Sequence, residues 1–150
     1  MNGGLKMKRL LTPVLLFTSS LAMSYPMDSD YWAHRSVLFF APQQDSAVEQ
    51  FLAEEMRYRC QIRERDLVVM VMTAKQAHGQ AEQVGSHGVS YLRDKYRVEE
   101  NKHIAVLIGK DGHEKHRWGA KTDWQEIFSI IDEMPMRKQE MLNSASVCSA

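Results

Sequence analysis

Cysteine is scarce in this chain: only Cys60 and Cys148 occur, far apart, and no Cys-X-X-Cys pair exists. That excludes the vicinal dithiol of an ordinary disulfide oxidoreductase. An excess of charge of one sign is lacking too, since nineteen basic residues face nineteen acidic ones. No apolar run is long enough to cross a bilayer. Neither a glycine-rich phosphate loop, a Ser/His/Asp arrangement nor a paired-carboxylate motif is present. The glycines of "VGSHG" (84–88) and "GKDG" (109–112) read as turn chemistry. No internal repeat, low-complexity block or second domain is visible, and 150 residues with 44% hydrophobic content suit one globular domain.

What is present begins with an N-terminal targeting pattern. Lys6, Lys8 and Arg9 form a positive region, "LLTPVLLF" (10–17) a short apolar one, and Ala22 and Ser24 supply the small residues of a cleavage site. The pattern would be complete from Met7 as well as from Met1. Residues 1–24 are therefore expected to be a cleaved signal peptide, followed by a domain over 25–141 and a disordered tail over 142–150. The expected location is periplasmic or secreted, with no membrane-spanning segment left after cleavage. Removing residues 1–24 takes away three basic residues and leaves 16 against 19 acidic, a net charge of −3. That argues against a nucleic-acid partner recognised through bulk charge. In an oxidising compartment the cysteines have three possible states: an intrachain bridge, which we prefer, a bond to another chain, or two isolated thiols.

Strand-like and helical patterns alternate along the mature chain. "SVLFFA" (36–41) is a continuous apolar run, as expected for a parallel strand buried on both faces, and Pro42 ends it. Ser46 followed by Glu49 forms a capping-box pattern, after which Val48, Phe51, Leu52 and Met56 recur at helical spacing. "DLVVMVMT" (66–73) is the second strand, and a polar connection over 74–88 leads to a short helix marked by Val89, Leu92 and Tyr96. "HIAVLIG" (103–109) and the polar "HEKHRWG" (113–119) flank Asp111-Gly112, a strong hairpin signal, and the polar strand suits a sheet edge. Asp123 then caps a helix whose apolar stripe is Trp124, Ile127, Phe128 and Ile131, with Pro135 stopping or kinking it. The expected fold is α/β, a mixed four-stranded sheet (β-α-β, then α, β-hairpin, α) with helices on both faces.

"WAHRSVLFFAP", "RERDLVVMVM", "LRDKYRV", "VLIGKDGHEKHRW" and "IFSIIDEMPMRKQEM", in that order, resemble a family of thioredoxin-like domains of unknown function. Such domains occur in exported bacterial proteins and in animal extracellular proteins with sushi repeats or a coiled-coil name. The resemblance spans roughly 32–141. It implies a thioredoxin-like fold and an extracytoplasmic location, but no settled activity. In thioredoxin-like enzymes the reactive thiol stands at the junction between the first strand and helix. Here that junction holds Gln43, Gln44 and Asp45, and the place of the usual cis-proline before the third strand reads "ENKH". Both halves of a redox site are missing, so no catalytic residue and no cofactor is assigned.

Other candidates are weighed residue by residue. Cys60 lies among Arg57, Arg59, Arg63 and Arg65, and cations favour a thiolate. Cys60 is expected near the end of the first helix, where the helix dipole opposes that effect, so an unreactive cysteine is the preferred reading. His113 and His116 sit at i, i+3 on a strand, on opposite faces, which argues against a metal site. His103 is expected beside the Gln43–Asp45 turn, where the four side chains could take a small ligand. Arg65 and Asp66 open a buried strand and read as an ion-pair network, with Arg93, Asp94 and Arg137 as possible partners. The functional alternative there is a surface for an anionic or peptide ligand. Met134 and Met136 flank Pro135 as core filler or an adaptable apolar surface. The expected function is a non-catalytic binding module for another exported or cell-envelope protein. The alternatives are a peroxide- or disulfide-handling protein using Cys60, with Cys148 as its second cysteine, and the small-ligand site at the turn.

Overall fold

The computed structural model describes residues 33–74, 84–146 and 148, together with the backbone of 77–79. Residues 1–24, read from the sequence as a signal peptide, and the first residue of the resemblance lie outside the described residues. Ten elements follow in order: β1 (Arg35–Phe40), α1 (Ser46–Arg57), α2 (Arg59–Glu64), β2 (Leu67–Met72), β3 (Ala77–Gly79), α3 (Gly85–Lys95), β4 (Ile104–Ile108), β5 (Glu114–Trp118), α4 (Trp124–Asp132) and α5 (Pro135–Asn143).

The strands form one mixed sheet in the order β3-β2-β1-β4-β5. β1 runs parallel to β2, with Arg35 opposite Leu67 and Phe40 opposite Met72, and antiparallel to β4. β4 and β5 form the antiparallel hairpin signalled by Asp111-Gly112, and Gly112 takes the positive φ (74°) that the turn requires. Every residue of β1 is buried, which is why its sequence does not alternate.

Strand periodicity divides the interior into two cores. Val37, Phe39, Leu67, Val71, Ala105 and Leu107 point to one face, covered by Val48 and Phe51 of α1, Ile62 of α2 and the Trp124–Ile131 stripe of α4. Leu38, Phe40, Met70, Met72, Val106 and Ile108 point to the other, covered by Val89, Leu92 and Tyr96 at α3. The two apolar stripes expected for α3 and α4 are therefore the surfaces that seal the sheet.

Four details differ from the sequence reading. The sheet gains the short strand β3 from the connection over 74–88, pairing antiparallel with β2. The three residues "AHG" carry no apolar strand pattern that would announce it. The capping box at Ser46 gives way to Asp45, whose carboxylate accepts from Ala47 N and Val48 N. The first helix breaks at Tyr58 (φ −95°, ψ 12°), and Met56 lies exposed rather than on the core stripe. At 3.6 residues per turn Met56 stands roughly 80° around the helix from Val48, beyond the covered sector. Pro135 opens a separate helix, α5, which runs on to Asn143 within the stretch read as tail.

Candidate functional site

The C-terminal end of β1 is where the strand-to-helix junction places Pro42, Gln43, Gln44 and Asp45. Asp45 ends the extended backbone and caps α1: its Oδ1 accepts from Ala47 N at 3.1 Å and Val48 N at 3.2 Å. Its Oδ2 lies 2.9 Å from His103 Nε2, which the chain brings in just before β4, beside the Phe39 ring. Gln43 and Gln44 are exposed. The turn and His103 thus meet, 58 positions apart in sequence. Both oxygens of the carboxylate are already engaged, so the unengaged polar groups of the turn are the two glutamine amides.

Asp45 is held below the usual carboxylate range. Burial pushes its carboxyl up, but the Val48 N–H, the His103 ring and the Ala47 N–H together outweigh it. Asp45→Ala is expected to lower stability by about 1 kcal/mol, whereas Asp45→Asn, an equally good cap, loses only a few tenths at neutral pH. Because the folded value is depressed, this carboxylate's electrostatic contribution is present above the unfolded pKa and drains as pH falls through the folded one. Melting curves from neutral to acidic pH check both statements: wild type's advantage over Asp45→Asn should fade on acidification. Equal losses in Asp45→Ala and Asp45→Asn at neutral pH would refute the capping role.

A second constellation lies at the opposite end, where β1 and β2 begin. Arg35, 1% exposed, donates to both oxygens of Glu140 at 3.0 and 3.1 Å and to the Arg65 carbonyl at 2.9 Å. Lys110, from the β4–β5 turn, bridges Glu140 (3.0 Å) and Asp66 (2.7 Å). Arg65 pairs with Asp132 at 2.6 Å and lies over the Phe128 ring, and Arg137 reaches the other oxygen of Asp132 and the Glu64 carbonyl. Asp66 takes a left-handed conformation (φ 51°) in the turn between α2 and β2, one that Asp tolerates better than most residues. Beside the network a cavity of about 220 Å³ is lined by Arg35, Lys110, Lys115, Met134, Pro135 and Met136, among others.

Arg137 joins Arg65 through Asp132, as the sequence allowed, but Arg93 and Asp94 do not belong to this group. Arg93 lies on the α3 face at the other end of β1, where it is buried, donates to the Ala41 carbonyl at 3.0 Å and stacks over Phe40. Burial lowers its pKa, though it remains a cation. Its contacts make it a brace for the backbone leading into the Gln43–Asp45 turn. Asp94 is exposed.

Cys60 and Cys148 are bonded to each other, tying α2 to the chain beyond α5, and among the described residues no cysteine is free. Cys60 stands in the first turn of α2, not in the last turn of a continuous helix, so the dipole argument against a thiolate there lapses. No group of three His, Cys, Asp or Glu residues among the described ones could hold a metal ion. No described helix is long and apolar enough to cross a membrane.

Residues 26–140, which run from before β1 into α5, match the family described as "Domain of unknown function (DUF4174)". The chain belongs to that family. No curated protein matches it. Within this DUF4174 chain, sequence reasoning missed four members of the polar network: Arg35, Lys110, Asp132 and Glu140. One signal was available, because Arg35 directly precedes the run "SVLFFA", read as a buried strand, and a charge there needs a counterion. Nothing local in "RKQEM" identifies Glu140 as that counterion, 105 positions away.

Proposed function

We propose that this DUF4174 protein is an exported, thioredoxin-like domain that acts as a non-catalytic binding module for another exported or cell-envelope protein. One observation carries the reading. At the strand-to-helix junction formed by Gln43, Gln44 and Asp45, where a thioredoxin-like enzyme would carry its thiolate, the N-cap is Asp45, whose carboxylate is consumed in capping α1 and pairing with His103. A fixed carboxylate is no redox nucleophile, and it would oppose a neighbouring thiolate. The sheet order β2-β1-β4-β5, with β1 parallel to β2 and antiparallel to β4, supports the thioredoxin-like assignment. The cysteines sit at α2 and the C-terminal stretch, in a bond with each other, which supports a structural use of sulfur. The basic and apolar N-terminal pattern supports export.

The test is intact mass of the mature protein after alkylation, with and without prior reduction and after mild peroxide. It is paired with assays for peroxide consumption and for reduction of a protein disulfide. The expected result is no alkylation until reductant is added, no peroxide-dependent mass gain and no turnover in either assay. Free alkylation of Cys60 with stoichiometric oxidation, or catalytic turnover, would replace the binding module with a redox enzyme.

A further inference from the structure

Of the exposed cations without a carboxylate partner among the described residues, which also include Lys95, Arg97 and Lys121, three cluster around Cys60 in sequence. Arg35, Arg65, Arg117, Arg137, Lys102, Lys110, Lys115 and Lys138 all have carboxylate partners. Arg57 at the end of α1, and Arg59 and Arg63 on α2, are exposed and have no carboxylate partner among the described residues. Arg59 and Arg63 stand at i, i+4 on one helix, a mutually repulsive spacing. Cys60 lies between them in sequence and is half-buried, like Cys148, while the neighbouring Ser144–Ser146 stretch is exposed. The nearby carboxylates are more shielded or already engaged: Glu64 is 14% exposed and lies 3.8 Å from Arg65, and Glu54 is engaged by Gln50. Glu55 is half-buried, and Asp66, 55% exposed, is engaged by Lys110 at 2.7 Å.

We propose that the Cys60–Cys148 bridge is an exchange site for anionic thiols, in which the incoming thiolate attacks Cys148 and Cys60 is expelled. The arginines draw in a thiol that carries carboxylates and steady the departing Cys60 thiolate. Thiol–disulfide exchange favours release of the sulfur that is more stable as an anion, and cations provide that stability. Cys148, half-buried just beyond the exposed Ser144–Ser146 stretch, is the sulfur left for attack. In the first step a bond forms between the thiol's sulfur and Cys148 Sγ, and the S–S electron pair leaves with Cys60 Sγ. A second thiol then attacks the small-molecule sulfur of the mixed disulfide, giving the oxidised thiol dimer and free Cys148. Two thiols are oxidised and one protein disulfide is reduced, which unties the C-terminal stretch from α2. The inference is independent of the binding-module reading, because the exchange is stoichiometric and turns over no second substrate.

The test treats the oxidised mature protein with glutathione, which is anionic, or cysteamine, which is cationic, at matched thiolate concentration. Alkylation quenches the reaction, and intact mass with peptide mapping locates the adduct. At low ionic strength the glutathione-to-cysteamine rate ratio should exceed that of the Arg57→Gln/Arg59→Gln/Arg63→Gln variant by about tenfold, the lower range of electrostatic steering. High salt should erase the difference. The glutathione adduct should map to Cys148, with Cys60 alkylated. A Lys102→Gln/Lys121→Gln/Lys138→Gln variant, which removes the same charge elsewhere, should keep the wild-type ratio. Equal ratios in wild type and the arginine variant, an adduct on Cys60, or reaction only in denaturant would each overturn the proposal. If the arginine variant fails to fold, the salt dependence and adduct position in wild type decide alone.

Discussion

Replacing both cysteines, Cys60→Ser with Cys148→Ser, is expected to remove about 4–5 kcal/mol of stability, the chain-entropy value for so long a closed loop. The bridge joins residues 88 positions apart and so encloses most of the fold, from α2 through α5. Its effect falls mainly on the unfolded chain, whose freedom it restricts; the folded chain holds α5 independently through Arg137 and Glu140. Near-ultraviolet circular dichroism of the variant should therefore match wild type in the absence of denaturant. Urea titrations should show a lower midpoint and a steeper slope, because the unlinked unfolded chain exposes more surface. A change below about 1 kcal/mol would mean that the reduced unfolded chain already holds these ends together, contrary to the chain-entropy account. Against a total stability of about 5–15 kcal/mol for a domain of this kind, the expected loss is a large share.

Parts of the fold written in local pattern were legible in the sequence. The apolar run at 36–41 became a fully buried central strand, Asp111-Gly112 became a hairpin, and Trp124, Ile127, Phe128 and Ile131 became one sealed helix face. Each depends on periodicity or turn chemistry within about ten residues. What remained hidden depends on partners far apart in sequence. β3 carries no apolar strand pattern and pairs along the edge of β2. The break at Tyr58 carries neither proline nor glycine, and it moves Cys60 from a helix end to a helix beginning. The polar network was half legible: Arg65, Asp66 and Arg137 stood out as charges beside a buried strand. Their counterions Asp132 and Lys110, and the pair Arg35–Glu140, become visible only once β1, the β4–β5 turn and α5 converge. At the other end, His103 could be placed next to Asp45 because strand order alone brings the start of β4 beside the end of β1.

Glu140→Ala is expected to cost about 3–5 kcal/mol, the range for leaving one member of a buried pair uncompensated. Arg35 cannot relax to solvent: it is 1% exposed, its two terminal nitrogens face Glu140, and its Nε has no partner. Removing Arg35 instead should cost less. Glu140 is 28% exposed and would keep Lys110 at 3.0 Å and Arg137 at 3.7 Å. The order of the two losses is thus a prediction in itself, and Arg35→Met with Glu140→Leu should recover much of the Glu140→Ala deficit by removing the stranded cation. Acid titration gives an independent reading. Burial pushes the Glu140 carboxyl up, but hydrogen bonds from Arg35 and Lys110 bring it below the usual range. A depressed folded pKa means stabilisation above the unfolded value, near 4.3, that is lost as pH falls through the folded value. Lys110 carries the complementary sign. Burial lowers it, Asp66 and Glu140 raise it further, and its contribution is present below the unfolded lysine value and lost as pH rises through the folded one. Urea midpoints for wild type, Glu140→Ala, Arg35→Met and the double variant across pH check all of this. If Arg35→Met proves the more destabilising, the buried cation is not what Glu140 serves, and the network's main role would be to hold the α2–β2 turn against β1 through the arginine's hydrogen bond to the Arg65 carbonyl.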